Sequence, residues 1–242
     1  MLYLTMIQKL LLLAPVTPSL ISPSLRLIRM EITMYVNKYK YARYAFFKWR
    51  YQLEVYNKVI LAISFACITA LLAQVRFYLP WSPVPLTGQT FAVLLSAVVL
   101  GKWWGGISQS IYLGVGMAGV PWFAGMNGGI LYLAGPTGGY LIGFVLAAFL
   151  LGYCIDTYVR SRKYWTMFAL MIFANFGIVF GFGLLQLYGW LSFKGTTIDL
   201  WSVLLMGLIP FLIGDIIKII IAAGIASSIT PKQAYGKEVD GV

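Results

Sequence analysis

The sequence predicts an all-α polytopic membrane protein, which crosses the bilayer several times. Of its 242 residues, 60% are hydrophobic and only 10% are charged, and the mean hydropathy is +0.84. A soluble domain carries about 25% charged residues, so a chain of this composition cannot hide its apolar surface from water. The apolar residues also fall in long runs, and a helix needs about 20 of them to span a bilayer.

Six apolar segments follow one another from Val59 onward. They lie at about 59–79, 90–100, 106–120, 138–158, 165–190 and 201–226. The second and third are short for a straight crossing, so we expect them to be tilted, broken or completed by their neighbours. The sequence therefore predicts six transmembrane helices over residues 57–228, an N-terminal extension over 1–56 and a cytoplasmic tail over 229–242.

The distribution of Lys and Arg predicts the orientation in the membrane. The net charge is +11, and the cationic residues are concentrated before the first span and in alternate short loops, as membrane topology demands. Alternation from a cytoplasmic N-terminus leaves only Arg76 and Lys194 outside the cell. Both termini are therefore predicted to be cytoplasmic, with the chain in the cell membrane. A nucleic-acid partner is not predicted, because the charges do not gather on one folded face.

Residues 1–56 differ from the rest of the chain. An apolar run near the start is too short to span a bilayer, and three prolines interrupt any helix before residue 24. Residues 38–56 are aromatic and basic, which is typical either of a helix lying on anionic lipid or of a poorly ordered tail. For residues 1–30 the sequence favours a poorly ordered tail, or a true start at Met30 or Met34.

No pattern in the chain predicts a catalytic site, a resident metal or a cofactor. Histidine, the commonest general base and metal ligand, does not occur, and neither a P-loop nor a G-x-S-x-G elbow is present. Asp156 and Asp215 resemble the pair of an intramembrane aspartyl protease. However, the first glycine of the G-x-G-D signature is missing before Asp215, and we expect Asp156 to pair with the basic loop after it.

Asp215 and Lys218 form a polar pair within the last apolar run. Spacing i, i+3 places both side chains on one helix face. An ionisable residue in the membrane is costly, so it usually faces the bundle interior and a partner. Two interpretations follow: a structural ion pair, or a pair that points at a polar ligand. Pro210 upstream is expected to kink this helix beside a pocket.

Two segments rich in glycine and proline are predicted to lie on the outer face. They are residues 82–90, "SPVPLTGQT", and residues 121–140, "PWFAGMNGGILYLAGPTGGY". Irregular backbone at membrane depth is tolerated where it is buried in protein or lines a cavity. We therefore expect a pocket covered by these loops, with Asn127 as a polar group and glycines that permit close backbone approach. The "GPTGGY" stretch is also consistent with a simple turn.

Ala62, Ala66 and Ala70 recur at every fourth residue of the first span. Such a stripe of methyl groups lets another helix approach closely. The spacing does not say whether that helix belongs to the same chain.

Four segments, in this order, resemble the BioY family: "SPVPLTGQTFAVLLSAVVLG", "YLGVGMAGVPWFAG", "GPTGGYLIGF" and "IGDIIK". The resemblance covers about residues 57–228. It implies the six-helix fold of an S component, the substrate-binding subunit of an energy-coupling factor (ECF) transporter, here one that binds biotin near the outer face. It also implies partners, namely a transmembrane coupling subunit and ATPase subunits, with the alanine stripe docking onto the coupling subunit.

The resemblance implies a biotin site that the residues can supply chemically. Asp215 would accept the ureido N–H groups, with Asn127 completing that edge, while Lys218 or the glycine-rich loop would meet the carboxylate. Thr87 and Gln89 would form the pocket floor or fix the loop. The walls would be apolar and aromatic, and the candidates are Trp81, Phe91, Trp122 and Tyr140.

One position departs from the family pattern. Leu141 stands where some relatives have a basic residue after the tyrosine of "GPTGGY", which raises the weight on Lys218 as the carboxylate contact. Three alternatives stay open: an S component for another vitamin such as thiamine or riboflavin, an intramembrane aspartyl protease, and a purely structural assembly subunit.

Overall fold

The computed structural model describes residues 23–195 and 199–240, most of which are helical. The chain divides into two units, Met1–Phe46 and Phe47–Val242. The long helix α1, Pro23–Gln52, contributes to both. It begins at a proline, whose missing N–H costs nothing in the first turn of a helix.

The first unit is described from residue 23 onward and consists of the N-terminal part of α1. Its aromatic and apolar side chains are largely exposed, including Met34, Tyr35 and Tyr41, and the Arg43 guanidinium lies 5.3 Å from the Tyr39 ring centroid. For residues 38–56 the sequence is consistent with a helix on anionic lipid or with a poorly ordered tail. The structure has a helix that continues to Gln52. The predictions for residues 1–22 fall outside the described part of the chain.

The second unit contains nine further helices among the described residues. They are α2 Val55–Gln74, α3 Gln89–Leu100, α4 Trp104–Met117, α5 Ile130–Leu133, α6 Gly138–Thr157, α7 Tyr164–Ile172, α8 Phe180–Phe193, α9 Leu200–Gly207 and α10 Leu212–Ile229. A π-helical segment, Phe173–Val179, joins α7 to α8. Two 3-10 turns, Val159–Arg162 and Ile209–Phe211, precede α7 and α10.

Several of these helices are long and apolar enough to cross a membrane. Within the described ranges there are 4 such segments, Val55–Gln74, Gly138–Thr157, Tyr164–Phe193 and Leu200–Ile229. The predicted second and third spans correspond to α3 and α4, which have 12 and 14 residues. A predominantly helical membrane protein is thus confirmed, while the count of six crossings and the orientation remain predictions.

A short β-hairpin replaces the expected end of the first span. α2 ends at Gln74, and Arg76–Phe77 (β1) pairs antiparallel with Leu86–Thr87 (β2). The Gly88 N–H donates to the carbonyl of Leu72 in the last α2 turn at 3.1 Å and to that of Val75, just after the helix, at 3.0 Å, which satisfies groups that a helix end leaves unpaired. The stretch "SPVPLTGQT" therefore belongs to a folded hairpin, which the all-α prediction did not include.

The alanine stripe of α2 lies inside the bundle. Ala62 and Ala66 are fully buried and Ala70 is 8% exposed, and α2 packs against both α3 and α4. Small side chains at these positions allow close helix approach. The helix that they admit therefore belongs to this chain, and the stripe as a whole is covered rather than exposed for a coupling subunit.

Glycines permit the closest helix contacts. A methyl group added at Gly105 of α4 would lie 2.7 Å from the Ala97 Cα of α3, whereas one added at Gly114 of the same helix would meet nothing within 4 Å. Close backbone approach of this kind is how small residues stabilise helix pairs in lipid.

The last apolar segment is broken in the region of Pro210, as predicted. α9 ends at Gly207, a 3-10 turn covers Ile209–Phe211, and α10 begins at Leu212. Proline has no N–H to donate and clashes with a preceding carbonyl within a helix, which accounts for the interruption.

The segment after α10 folds back onto the bundle rather than hanging free. The Arg162 side chain is fully buried, with its Nε donating to the Ile155 carbonyl at 2.9 Å and its Nη2 2.7 Å from Glu238 Oε1. The Val239 N–H donates to the Thr157 carbonyl. The predicted tail over 229–242 is therefore anchored along its described part.

Asp156 pairs with a distant arginine, not with the basic loop after it. Its Oδ1 lies 2.7 Å from Arg50 Nη2 and 2.5 Å from the Tyr235 hydroxyl, and its Oδ2 accepts the Lys102 N–H at 2.8 Å. This contact joins the end of α1 to α6 across 106 residues of sequence. Arg50 and Asp156 both lie in the second unit, which begins at Phe47; the predicted division of the chain near residue 57 stays a prediction.

We expect Gly105→Ala to lower stability by roughly 1–3 kcal/mol, because the new methyl group would force α3 and α4 apart. Gly114→Ala, the matched control in the same helix, should be neutral or stabilising by up to about 1 kcal/mol through helix propensity. Melting temperatures of the purified variants in detergent test this. Equal melting temperatures for the two variants would contradict the packing contact.

We expect acid to release the C-terminal segment. Burial opposes the charge of Glu238, but the N–H groups of Tyr235 and Gly236 and the Arg162 guanidinium outweigh it, so the carboxyl pKa lies below its ordinary value. A lowered folded-state pKa gives stability that is present above the unfolded pKa, near 4.5, and is lost as the pH falls through the folded value. Hydrogen exchange of residues 231–240, corrected for intrinsic rate, should show protection at pH 7 that disappears in acid.

Glu238→Gln is the control for this experiment. It should expose the same segment already at pH 7 and flatten the pH dependence. Protection of the wild-type segment that persists below the pKa of Glu238 would show that the ion pair does not hold it.

Candidate functional site

A cavity lies where the hairpin, α3, α6, the π segment and α10 meet. Its polar lining consists of Thr87, Gln89, Thr90, Thr137, Asp215 and Lys218. Its apolar and aromatic lining includes Tyr132, Tyr140, Phe144, Phe180 and Phe211. A mostly apolar wall with a few convergent polar groups is the usual composition of a small-molecule site.

Asp215 and Lys218 form the charged centre of this cavity. Their side chains are ion-paired within α10, and Asp215 is only 2% exposed. The Lys218 Nζ also donates to the Thr87 carbonyl and to the Thr90 Oγ1, each at 2.9 Å. An ammonium has three N–H donors, so all three are used within the chain. Both interpretations of the pair therefore fit the structure: it is an ion pair, and it lines a cavity.

Asn175 is a buried partner of Asp215 that sequence reasoning did not single out. Its Nδ2 donates to Asp215 Oδ2 at 2.8 Å, and the side chain is almost fully buried. It lies in the π-helical segment Phe173–Val179, a rare geometry that is frequent at functional sites. The feature of the sequence that could have indicated Asn175 is a polar amide side chain inside an apolar run. Its Oδ1 has no hydrogen-bond partner among the described residues.

Thr87 and Gln89 belong to a hydrogen-bond chain that fixes the hairpin. The Thr87 hydroxyl donates to Gln89 Oε1 at 2.9 Å, and Gln89 Nε2 donates to the Tyr112 hydroxyl at 2.7 Å. Both residues also line the cavity. Ser82, at the start of the same stretch, donates to the Met206 carbonyl at 2.6 Å. The polar groups of "SPVPLTGQT" are thus satisfied within the protein.

Tyr140 contributes both a wall and an anchor. Its ring packs edge-on against Phe180 with centroids 5.6 Å apart, and its hydroxyl donates to the Gly207 carbonyl at 2.8 Å. Because Gly207 ends α9, this bond holds the broken last segment against α6. The cavity wall therefore depends on the helix break near Pro210.

Three predicted site residues do not line this cavity. Asn127 donates through Nδ2 to the Ala124 carbonyl at 2.8 Å within its own loop. Trp122 donates through Nε1 to the Tyr112 carbonyl at 2.9 Å, and Phe91 is a half-buried residue that packs against the core. Trp81, also considered as a wall, is 60% exposed. Asn127, Trp122 and Phe91 therefore hold the loops and core around the cavity.

The "GPTGGY" glycines allow close packing rather than presenting open backbone. A methyl group at Gly138 would lie 1.8 Å from the Leu133 carbonyl oxygen, and one at Gly139 would lie 2.2 Å from that of Phe182. Gln186 of α8 donates through Nε2 to the Leu133 carbonyl at 2.5 Å and to that of Gly135 at 2.8 Å. The turn is therefore sealed against α8 at the rim of the cavity.

The site is compact. Its free volume is about 50 Å³, while pockets that hold drug-sized ligands have roughly 300–1,000 Å³. Any ligand of the size of a vitamin must therefore displace side chains or the hairpin.

Comparison with known proteins identifies the family. The sequence model of the BioY family matches residues 44–234. A probable biotin transporter BioY of Methanothermobacter thermautotrophicus is 52% identical over 60% of this chain and 94% of its own length. One of Lysinibacillus sphaericus is 34% identical over 73% of this chain and 86% of its own length.

A solved structure has the same fold. The S-component for biotin from an ECF-type ABC transporter superimposes with a TM-score of 0.62 and 24% sequence identity, covering 72% of this chain and 93% of the other. Since the family match extends over most of the residues and includes the hairpin, the cavity and α10, the chain belongs to the BioY family.

Proposed function

We propose that this chain is the membrane subunit that binds biotin for uptake, with the energy supplied by a separate ECF ATPase module. Relatives named biotin transporters support the ligand, and family membership favours a transport subunit over a protease or an assembly subunit. The observation that carries the proposal is the pair of buried Asp215 and partly buried Lys218, the charged groups of a cavity whose other lining residues are apolar, aromatic or uncharged polar.

The chemistry of the cavity suits the two ends of biotin. The ureido ring presents two N–H donors, and a carboxylate such as Asp215 has about four acceptor sites. Lys218 and Asn175 occupy one site on each oxygen of Asp215, so acceptor capacity remains for the ring. The valeryl carboxylate needs a cation, and Lys218 is the ammonium in the lining. Because its Nζ contacts Asp215 in this structure, it has to turn away from that carboxylate to reach the other end of the ligand. Tyr140, Phe180 and neighbouring rings supply the apolar wall for the sulfur ring.

Binding requires the cavity to expand. Thr87 and Thr90 hold Lys218 at its edge, and the free volume is far below that of usual ligand pockets. The stretch "SPVPLTGQT" includes the second hairpin strand and the first residues of α3, and its displacement would release Lys218 and open space at the same time. Asn127, Trp122 and Phe91 would then act by fixing the surrounding loops and core, as their present contacts support.

We place the chain in the cell membrane, with both termini in the cytoplasm, and we assign its partners as a transmembrane coupling subunit and ATPase subunits. The positive charge distribution supports this orientation. The alanine stripe of α2 is buried, so the docking surface for a coupling subunit is not assigned to it.

Radiolabelled biotin binding to the purified protein in detergent tests the ligand and the site together. Asp215→Asn should weaken binding by about ten- to a hundredfold, because hydrogen bonds to a charged group contribute roughly 1.5–3 kcal/mol. Asp199→Asn, a change of the same chemistry on an exposed residue at the start of α9, should leave binding within about twofold. A folded wild-type protein that binds thiamine or riboflavin but not biotin would assign it to another vitamin.

The ligand biotinamide, which lacks the carboxylate, tests the role of Lys218. Wild-type protein should bind biotin more tightly than biotinamide by about tenfold or more, since a charge-assisted hydrogen bond is lost. Lys218→Met should reduce biotin affinity to the level of biotinamide. A preference for biotin that survives in Lys218→Met would move the carboxylate contact elsewhere.

Asp156→Asn separates the transport and protease functions. A protease with two catalytic aspartates would lose its activity, whereas biotin binding should be retained by a folded variant, because Asp156 contacts Arg50 and Tyr235 far from the cavity. Loss of biotin binding with an unchanged melting temperature would contradict the proposed site.

A further inference from the structure

A second cavity, larger than the first, lies at the other end of α6. Its volume is about 500 Å³, and its lining includes Arg50, Lys58, Lys102, Lys237 and Asp156. The aromatic side chains of Tyr51, Trp103 and Trp104 also line it. Because Tyr140 and Asp156 are separated by 16 positions of one helix, the two cavities lie about 24 Å apart along α6.

The lining carries four cationic groups and one carboxylate, and that carboxylate already has hydrogen-bond partners within the protein. Asp156 accepts hydrogen bonds from the Arg50 guanidinium, the Tyr235 hydroxyl and the backbone N–H of Lys102. The Arg50–Asp156 pair is therefore neutral and forms the partly buried floor of the cavity. Three ammonium groups, those of Lys58, Lys102 and Lys237, remain above it.

These three ammonium groups have no carboxylate partner within the described ranges. Lys58 donates to the Tyr51 carbonyl at 3.1 Å, and Glu54, one helical turn before it, forms no ion pair with it. Lys102 Nζ lies over aromatic rings, 4.7 Å from the centroid of Tyr153 and 5.6 Å from that of Trp103. Like charges gathered around one cavity repel one another, and a bound anion would remove that cost.

The surroundings indicate an anion that is attached to lipid. Trp103 is 60% exposed, and exposed Trp and Tyr side chains are typical of the level of the lipid headgroups. Lys58 begins the second turn of α2, where the next outward-facing residues are apolar: Val59 is 36%, Ile60 57% and Ile63 45% exposed. A headgroup in the cavity would thus have its acyl chains beside an apolar helix face.

We propose that this cavity binds the phosphate-bearing headgroup of an anionic phospholipid, with Lys58, Lys102 and Lys237 as its cationic ligands. Tyr51 and Trp103 flank the headgroup. The site does not depend on biotin or on the cavity at Asp215, so its test stands apart from that of the proposed function.

The experiment is native mass spectrometry of the full chain, titrated with phosphatidylglycerol or phosphatidylcholine. Both lipids carry a phosphate, but only the first has a net charge. Wild-type protein should bind the first phosphatidylglycerol at least about tenfold more tightly than phosphatidylcholine, because each Lys near a lipid surface contributes roughly a factor of five. Equal affinity for the two lipids would overturn the proposal.

Charge-matched variants locate the binding. Replacing Lys58, Lys102 and Lys237 together by Gln should weaken phosphatidylglycerol binding at least about tenfold and abolish the preference. The control replaces three cations outside the cavity, Arg76, Lys163 and Lys194, by Gln and should stay within about twofold of wild type. The same loss in both triple variants would show general attraction to charge and would overturn the site.

Three further experiments distinguish the possible outcomes. A triple Lys→Arg variant preserves charge and should retain the preference, and Lys237→Gln alone, on the exposed rim, should cause a partial loss without threatening the fold. Millimolar glycerol 3-phosphate should fail to displace the lipid. Displacement by it at that concentration would assign the cavity to a soluble phosphate instead.

Discussion

The buried carboxylate of Asp215 is the constraint on which the packing around the first cavity depends. A charge within a helix bundle is tolerated only where it is paired and hydrogen-bonded. Lys218 provides the pairing from α10 itself, and Asn175 provides the hydrogen bond from the π segment. The remaining donors of Lys218 then need acceptors, which Thr87 at the end of the hairpin and Thr90 in the first turn of α3 supply. One ionised group thereby fixes the relative positions of three elements that are remote in sequence.

The opposite end of the bundle meets the same requirement with arginine. Arg50 and Arg162 are both buried, and each is held by a carboxylate and by carbonyl oxygens of the chain. A planar guanidinium offers five N–H donors in a fixed fork, so one side chain can join several segments at once. Through these contacts the end of α1 and the segment after α10 become parts of the membrane unit.

Much of the fold follows from composition and local pattern. The apolar runs, the break near Pro210 and the shared face of Asp215 and Lys218 all depend on near neighbours in sequence, and the structure has each of them. Of the eight residues proposed for the site, Asp215, Lys218, Tyr140, Gln89 and Thr87 line one cavity.

The features that the sequence did not predict depend mainly on contacts between distant segments. Asn175 acquires its role through a π-helical turn that no local pattern announces, and Asp156 finds its partner 106 residues away. Asn127 and Trp122 are polar or aromatic residues in the right loop, but a loop side chain can as easily bind its own backbone as a ligand. The alanine stripe has the spacing of a docking face, and spacing alone does not say which helix is docked.

The saturation of Lys218 has a consequence for selectivity. A molecule that enters the cavity must first replace three interactions, with Asp215, Thr87 and Thr90, each of which has a free-energy cost when it is lost. A compound that offers only one matching group leaves the ammonium short of acceptors, so its binding is penalised before any contact with the walls is counted. Selectivity in such a site therefore includes the free-energy cost of breaking the Lys218 interactions of the closed protein. A similar but incorrect molecule binds weakly because it does not replace all of those interactions.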